Sequence, residues 1–396
     1  MPREGRHERR GEVERSMRRL AIACVLVGGV ASAAPRCRLD GRAWLEGRVH
    51  GAGGRWARAV DARAGQLLDV ALVTGAIVDG HRVELAEGAR KQSWASAGCG
   101  ALEVTWRRVE PRMQHTGTPA PNDGASVYSN AVIFGPQHGR WIGFDNLEYF
   151  ESSMDGGGAT RTLDDATASD EQLLSHRDAP LRALGTMHLA ATARAGDVTV
   201  RTPDARDLDG GQIADRVFRY SFRRDDSFTG WLTSYFNVPY LFGSAGKGKR
   251  SQAERRVGAD CADIIVAALR RAGRDLEYSS VSGLVDRFHR AAEPVTIGGN
   301  APGEPLHFGK QVHIGDLLAL DYVGVAELPR GWDHIVVLVE DRGPPDQSGK
   351  PTPADGLLGP EDIVADSGSS LGLHFAPLGG QGTVRVMVLT PPPPAS

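Results

Sequence analysis

The sequence predicts an α+β protein with a β-rich first half and a second half in which one helix packs on an antiparallel sheet. Two observations predict this fold class. Short apolar segments over residues 37–200 alternate with polar neighbours and are separated by glycine, proline, asparagine and aspartate, a pattern typical of half-buried strands. Residues 261–269 instead repeat apolar side chains at helical spacing, and strand-like segments follow them along the chain.

The first 34 residues are expected to form a secretory signal peptide. Arg18 and Arg19 precede an apolar core over 20–30, and small residues fill 31–34, which is the order of a cleaved export signal. The apolar core is too short for a membrane-spanning helix. Because the polar stretch before Met17 is unlike a signal, Met17 is a candidate translation start. We therefore expect an exported protein, periplasmic or extracellular, whose mature chain is not inserted in a membrane.

The cysteines give an expectation about disulfide bonding. A chain without its signal keeps Cys37, Cys99 and Cys261, and in an oxidising compartment an odd number leaves one thiol over. Cys37 and Cys99 both lie in the first half and are the pair expected to form a disulfide. Cys261 is then the free thiol.

The first half is expected to be a sandwich-like accessory domain over 35–205. Its predicted strands are 67–73, 101–109, 129–135 and 197–202. A turn-rich passage over 206–228 predicts a linker or an approach to the next domain, with 216–222 as a short aromatic strand. A second domain is expected over 229–396, with strands at 315–323, 334–341 and 383–389.

Charge and motifs argue against two classes of function. The formal net charge is −3, and no run of lysine and arginine is interleaved with aromatic residues, so we expect no nucleic-acid partner. The chain has no His-Glu-x-x-His run and no Cys-x-x-Cys pair, so we expect no metal and no other cofactor. The scattered His115, His138 and His188 are most simply read as solvated or hydrogen-bonded side chains.

Cys261 is the candidate nucleophile because of its place in the predicted helix. Asp260 suits the N-cap, which makes Cys261 the first helical residue, and Gly273 is the candidate helix stop. The partial positive charge of a helix N-terminus stabilises a thiolate over a thiol. From position alone, an ordinary buried thiol at the start of a core helix fits equally well.

His334 is the candidate base for this thiol. It opens the predicted strand 334–341, where a side chain can face a cleft, and histidine titrates near neutral pH. A third polar group should orient the imidazole. Asp366 is the first choice for that role, and Asp333 and His374 are rivals.

Five segments then occur in an order that resembles the NlpC/P60 superfamily, the papain-like cysteine peptidases of bacterial cell walls. They are NVPYLFG (237–243), GADCADIIVAAL (258–269), GDLLALDY (315–322), WDHIVVLVED (332–341) and IVADSGS (363–369). The resemblance covers the chain from about 230 to 390 and leaves the β-rich half out. It places Cys261 as the nucleophile, His334 as the base and Asp366 as the third residue. Tyr240 falls on the tyrosine that helps to bind the oxyanion.

Two departures from the family pattern are present. The spacing between Tyr240 and Cys261 is longer than usual and contains a basic segment, and Asp-Cys-Ala replaces the commoner Asp-Cys-Ser. The longer spacing would reshape the entrance for substrate. Neither departure removes a catalytic atom.

The resemblance implies a secreted cysteine peptidase or amidase that cleaves amide bonds of peptidoglycan stem peptides, with peptidoglycan or a muropeptide as partner. The first half would then hold the wall polymer or cover the cleft. A transglutaminase-like acyltransferase also uses cysteine, histidine and aspartate in this order and is an alternative. A non-catalytic wall-binding protein on the same fold is a third. The bond cleaved, the choice between hydrolysis and transfer, and the oligomeric state stay open.

Overall fold

The computed structural model describes most of the chain from residue 37 onward. The described ranges are 37–88, 91–111, 149–166, 183–209, 212–241, 251–299, 304–324, 331–350, 352–368 and 371–393. The expected signal peptide with Met17, the expected strand at 129–135, and both His115 and His138 lie outside them.

Twelve strands precede the first helix in the described ranges. They are β1 (Cys37–Val49), β2 (Ala59–Arg63), β3 (Leu68–Val78), β4 (His81–Ala86), β5 (Glu103–Pro111), β6 (Tyr149–Met154), β7 (Thr160–Leu163), β8 (Gly185–Ala195), β9 (Val198–Arg201), β10 (Leu208–Asp209), β11 (Gln212–Ile213) and β12 (Phe218–Arg223). The first sheet has the order β1-β3-β4, with β7 also on β3. The second sheet has the order β2-β12-β8-β5-β6, with β9 also on β8, and β10 pairs with β11 alone. The stretch expected as a linker or approach therefore contains three strands.

Four helices and seven strands make up the rest of the described chain. They are α1 (Phe228–Leu232), α2 (Gln252–Arg255), α3 (Cys261–Arg271), α4 (Val281–Arg287), β13 (His289–Arg290), β14 (Val295–Ile297), β15 (Leu317–Tyr322), β16 (His334–Glu340), β17 (Ile363–Gly368), β18 (Gly372–Pro377) and β19 (Val384–Thr390). The third sheet is antiparallel and has the order β13-β19-β15-β16-β17-β18, with β14 also on β19. The protein is thus a mixed, sheet-rich fold with few helices.

The third sheet is buried on both faces, which explains its nearly continuous apolar strands. Alternate residues of β15 and β16, such as Leu317 and Val337, join a core with helix α3. The residues between them, such as Leu318 and Val336, form a second core on the opposite face. Helix α3 is held on this sheet because its apolar side chains, Ile264 to Leu269, are at most 2% exposed.

Strand β12 has one apolar and one polar face, as alternation requires. Phe218, Tyr220 and Phe222 are buried in the main core, which extends without a break to the residues around α3. On the other face, Arg219 lies opposite His188 of β8, and Ser221 lies opposite Asp61 of β2. These polar residues form the surface on which the second half of the chain packs.

Arg256 is the main contact on that polar face. Its Nη1 donates to Asp61 Oδ1 at 2.5 Å and to Ser221 Oγ at 3.2 Å, and its side chain has no exposed surface. The rings of Trp231 and Tyr235 lie within 6 Å of the guanidinium. Burial raises the pKa of Asp61, but the charges of Arg256, Arg219 and Arg271 outweigh it and hold that pKa below its usual range.

The structure contains the Cys37–Cys99 disulfide, and Cys261 is the free cysteine of the described chain. The bridge joins the first residue of β1 to a turn that follows β4, with 4.9 Å between the two Cα atoms. It closes a loop with a sequence separation of 62.

Asp61→Asn is expected to lower the free energy of unfolding by about 3–5 kcal/mol, because three guanidinium groups lose their shared carboxylate. Urea unfolding at pH 7 measures this change. Asp226→Asn removes the exposed carboxylate that pairs with Arg63 of the same strand and with Arg223, and it is the matched control. It should change the free energy of unfolding much less than Asp61→Asn does. The pKa of Asp61 is lower in the folded chain than its ordinary value of 3.8, so its contribution to stability is present above pH 3.8 and is lost as the pH falls below that value. The free energies of unfolding of the wild type and of Asp61→Asn should therefore converge on acidification. Equal effects of the two substitutions would refute a special role for Asp61.

Replacing Cys37 and Cys99 by alanine is expected to lower the free energy of unfolding by about 4 kcal/mol, from the loop-closure entropy of the unfolded chain. Urea unfolding with and without reductant checks this prediction. Reductant should destabilise the wild type to the level of the double variant and leave the variant unchanged. A wild type that is insensitive to reductant while its bridge is demonstrably broken would contradict it.

Candidate functional site

Cys261 lies at the N-terminus of helix α3, where the sequence places it. Asp260 is the N-cap, and its Oδ1 accepts from the backbone N–H of Asp263 at 2.8 Å. Cys261 is the first helical residue and is 7% exposed. As such, its backbone N–H has no acceptor within the helix. Gly273, with φ of +88°, adopts the left-handed conformation just after the helix and ends it.

His334 opens β16 and lies beside Cys261, whose charge raises the pKa of the imidazole. Its Nε2 is 2.6 Å from Asp366 Oδ1. Because Nε2 faces the carboxylate, Nδ1 is the ring nitrogen left to face the thiol. The ring of Tyr322 stacks beside the imidazole, with 6.5 Å between the centroids. Sulfur, imidazole and carboxylate therefore form a continuous series.

Asp366 is the third residue that contacts the imidazole, and its second oxygen is also hydrogen-bonded. Gln381 Nε2 donates to Asp366 Oδ2 at 2.7 Å, and Tyr322 O–H donates to Gln381 Oε1 at 2.8 Å. The rival His374 lies 3.7 Å from Asp366 Oδ2. The rival Asp333 instead accepts from the backbone N–H of Tyr322 at 3.2 Å. The carboxylate is thus held on one oxygen by the imidazole and on the other by the amide.

Both members of the His334–Asp366 pair have shifted pKa values. Burial would lower the pKa of His334, but the negative charge of Cys261 and the hydrogen bond to Asp366 raise it well above its usual value. Burial would raise the pKa of Asp366, but the hydrogen bond and charge of His334 lower it to about 2. The charges of Cys261 and Asp366 on either side of the imidazole therefore both favour its protonated form.

Tyr240 is brought to the same place by its backbone. It forms a bridge with Ala259, two residues before Cys261, with flanking hydrogen bonds of 3.1 Å from Leu241 N–H to Ala259 O and from Ala259 N–H to Pro239 O. Burial, together with the negative charges of Cys261 and Asp260, raises the pKa of Tyr240 well above its usual value. Its phenol stays protonated and keeps a hydrogen to donate.

Gln381 and Tyr322 are the site residues that the sequence reasoning missed. Tyr322 lies near the end of the predicted strand 315–323. The apolar pattern of that strand does not distinguish a functional tyrosine from an ordinary aromatic residue at the edge of a sheet. Gln381 ends a short 3₁₀ turn, Leu378–Gln381, in a glycine-rich passage with no periodic signal. Only the pairing of β15 with β19, which flanks that turn, brings the two together.

The described segments contain no group of three or more histidine, cysteine, aspartate or glutamate side chains arranged to hold a metal ion. None of the helices in the described ranges combines the length and the apolar character needed to cross a membrane.

Cys261→Ala and Asp366→Asn are each expected to lower the pKa of His334, since each removes a negative charge that stabilises the imidazolium. Ring ¹⁵N chemical shifts of selectively labelled histidine, followed against pH, measure this value. The wild-type His334 should stay protonated to a higher pH than a free histidine, and the largest change is expected where Cys261 is replaced. His313 is exposed and has no role at the site. His313→Ala is therefore the control and should leave the His334 titration unchanged. A His334 that titrates alike in all four proteins would contradict the ion-pair assignment.

Comparisons of the chain with protein-family models, with curated proteins and with solved structures give no match.

Proposed function

We propose that the protein is an exported cysteine peptidase or amidase whose second half is a papain-like domain of NlpC/P60 type. The observation that supports this most directly is the series Cys261–His334–Asp366, in which the thiol begins a helix and the imidazole uses separate nitrogens for sulfur and carboxylate. A nucleophile, a base within hydrogen-bond reach and a third group that orients the base are the parts that acyl transfer needs.

The reaction begins with the thiolate–imidazolium pair. The Cys261 sulfur attacks the carbonyl carbon of an amide, and the C=O π electrons move to the oxygen. Asp366 keeps the imidazole oriented and stabilises its positive charge, while Gln381 fixes the carboxylate. His334 then gives its Nδ1 proton to the leaving nitrogen as the C–N bond breaks, which leaves a thioester on Cys261.

Hydrolysis of the thioester uses the same groups in reverse. The neutral His334 removes a proton from a water molecule, whose oxygen attacks the thioester carbonyl. The C–S bond breaks, the acid product leaves, and the thiolate–imidazolium pair is restored. In both steps we expect the oxyanion to accept hydrogen bonds from the Cys261 backbone N–H and from the Tyr240 hydroxyl.

The substrate class and the compartment rest on further arguments. The resemblance to cell-wall peptidases implies a peptidoglycan stem peptide. The Cys37–Cys99 disulfide fits an oxidising compartment outside the cytoplasm, as does the expected signal at 1–34. A transglutaminase-like transfer to an amine is the second candidate, because an aspartate at position 366 suits that chemistry. Hydrolysis and transfer differ only in whether water or an amine attacks the thioester.

Iodoacetamide labelling of Cys261 is expected to be fast near neutral pH in the wild type and to change its pH profile in His334→Ala. The physical reason is that the imidazolium stabilises the reactive thiolate. Mass spectrometry of labelled peptides measures the rate at this cysteine. His313→Ala is the control. Slow labelling without dependence on His334 would instead favour the non-catalytic wall-binding protein.

Release of amine from purified muropeptides is expected to fall by about 10³-fold or more in Cys261→Ala and His334→Ala. Tyr240→Phe should lower kcat by about 10²–10³-fold through loss of one oxyanion donor.

Asp366→Ala should lose more activity than His374→Ala, and the reverse order would overturn the choice of third residue. Adding a labelled primary amine separates the candidates, because a transferase would incorporate the amine and a hydrolase would release the free acid.

A further inference from the structure

A second site lies away from Cys261, between the second sheet and helix α2. It is a cavity of about 200 Å³ that both halves of the chain line. Its charged and titratable lining residues are Arg58, His188, Asp215, Arg219, Glu254 and Arg255. Val217 and Val257 are apolar residues of the lining and are buried, whereas Arg58 and Asp215 are exposed. The cavity thus has a closed interior and a rim that solvent reaches.

His188 and Arg219 form a pair inside this cavity. They are direct cross-strand partners on β8 and β12, so their side chains lie on the same face of the sheet. His188 is only 6% exposed, yet no described residue forms a hydrogen bond with its ring. The ring of His188 therefore has a hydrogen-bonding position that a ligand can satisfy.

The charges around the cavity are unbalanced in the positive sense. Arg255 pairs with Asp215, and Glu254 pairs with Arg270 and Arg271 outside the cavity. Arg219 donates to the backbone oxygen of Arg255 at 2.8 Å, and Asp61, the carboxylate whose charge acts on Arg219, is shared with Arg256 and Arg271. Arg58 has no ion pair in the described chain, and its guanidinium lies 5.9 Å from the ring of Trp44. The guanidinium groups around the cavity thus outnumber the carboxylates that face them.

We propose that this cavity binds a small oxyanion, a carboxylate or a phosphate, through the guanidinium groups of Arg58 and Arg219 and one ring N–H of His188. One guanidinium group can donate two parallel hydrogen bonds to two oxygens of a carboxylate or a phosphate. The volume is below that of the pockets that hold drug-sized ligands and suits a small ion or the charged end of a larger molecule. This site is independent of the proposed peptidase activity.

The protonation of His188 agrees with this role. Burial, followed by the charges of Arg219 and Arg255, lowers its pKa to about 3. The ring is therefore neutral at pH 7, with one nitrogen that donates and one that accepts. A neutral imidazole beside two guanidinium groups gives an anion a third donor without adding a further charge to the cavity.

The test is a titration of the full chain at pH 7 and constant ionic strength with sodium phosphate and, separately, sodium acetate. Sodium chloride is the reference. Ring ¹⁵N shifts of labelled His188 and calorimetry report binding. We expect saturable binding of at least one oxyanion that moves the His188 signal. Phosphate without acetate identifies a phosphate site, acetate without phosphate a carboxylate site, and both a general oxyanion site.

Arg58→Gln and Arg219→Gln are each expected to weaken this binding by at least about tenfold, the loss of one charge-assisted pair. Arg58 is exposed, so its variant tests the proposal even if Arg219→Gln fails to fold. Arg82→Gln, an exposed arginine of β4, is the matched control and should bind like the wild type. Non-saturable responses, an unmoved His188 signal, or equal affinity in Arg58→Gln and Arg82→Gln would each overturn the proposal.

Discussion

The position of the nucleophile depends on the buried pair formed by Arg256 and Asp61. Arg256 is the C-cap of α2, with φ of +55° in the left-handed region that glycine usually occupies. Its guanidinium is fixed on Asp61 of β2, and the backbone reaches Cys261 five residues later. A strained backbone persists only where its surroundings over-determine it. Here a carboxylate from the first half and two aromatic rings supply that constraint, and the start of α3 follows from it.

The candidate site is assembled from parts that are separately simple. A helix N-terminus presents the sulfur, the first residue of β16 presents the imidazole, and β17 presents the carboxylate. The negative charges on both sides of His334 make its cationic form the stable one, despite burial that opposes it. Gln381 then donates to the second oxygen of Asp366 and accepts from the hydroxyl of Tyr322, which extends the buried polar network by two side chains.

Local signals in the sequence were sufficient for helix α3 and for strands with a clear apolar pattern, such as β5, β15, β16 and β19. They were insufficient for the other strands, the long β1 and β8 among them, and for pairings between distant segments. The N-cap at Asp260 and the apolar face of α3 follow from short-range pattern. The choice between Asp366 and His374 does not, because the two are direct cross-strand partners on β17 and β18 and both suit the role. The parallel pairing of β2 with β12 is likewise invisible locally, since it joins residues 59–63 to residues 219–223. Gln381 had no pattern at all, because its role depends on a turn that only the finished sheet positions.

The pairing of β2 with β12 has a consequence for how the chain reaches its native state. Contacts between segments so far apart raise the contact order. The chain loses loop-closure entropy before these contacts stabilise it, and this lowers the folding rate of β-rich proteins. The second half of the chain also packs on the polar face that carries Asp61 and Ser221, through Arg256. If the second half were synthesised alone, Arg256 would be exposed and would lack the Asp61 carboxylate. During synthesis from the N-terminus, the first half can form its sheets early and act as the template on which the helix bearing Cys261 is ordered last. The thiol would then become reactive only in a chain that is already complete.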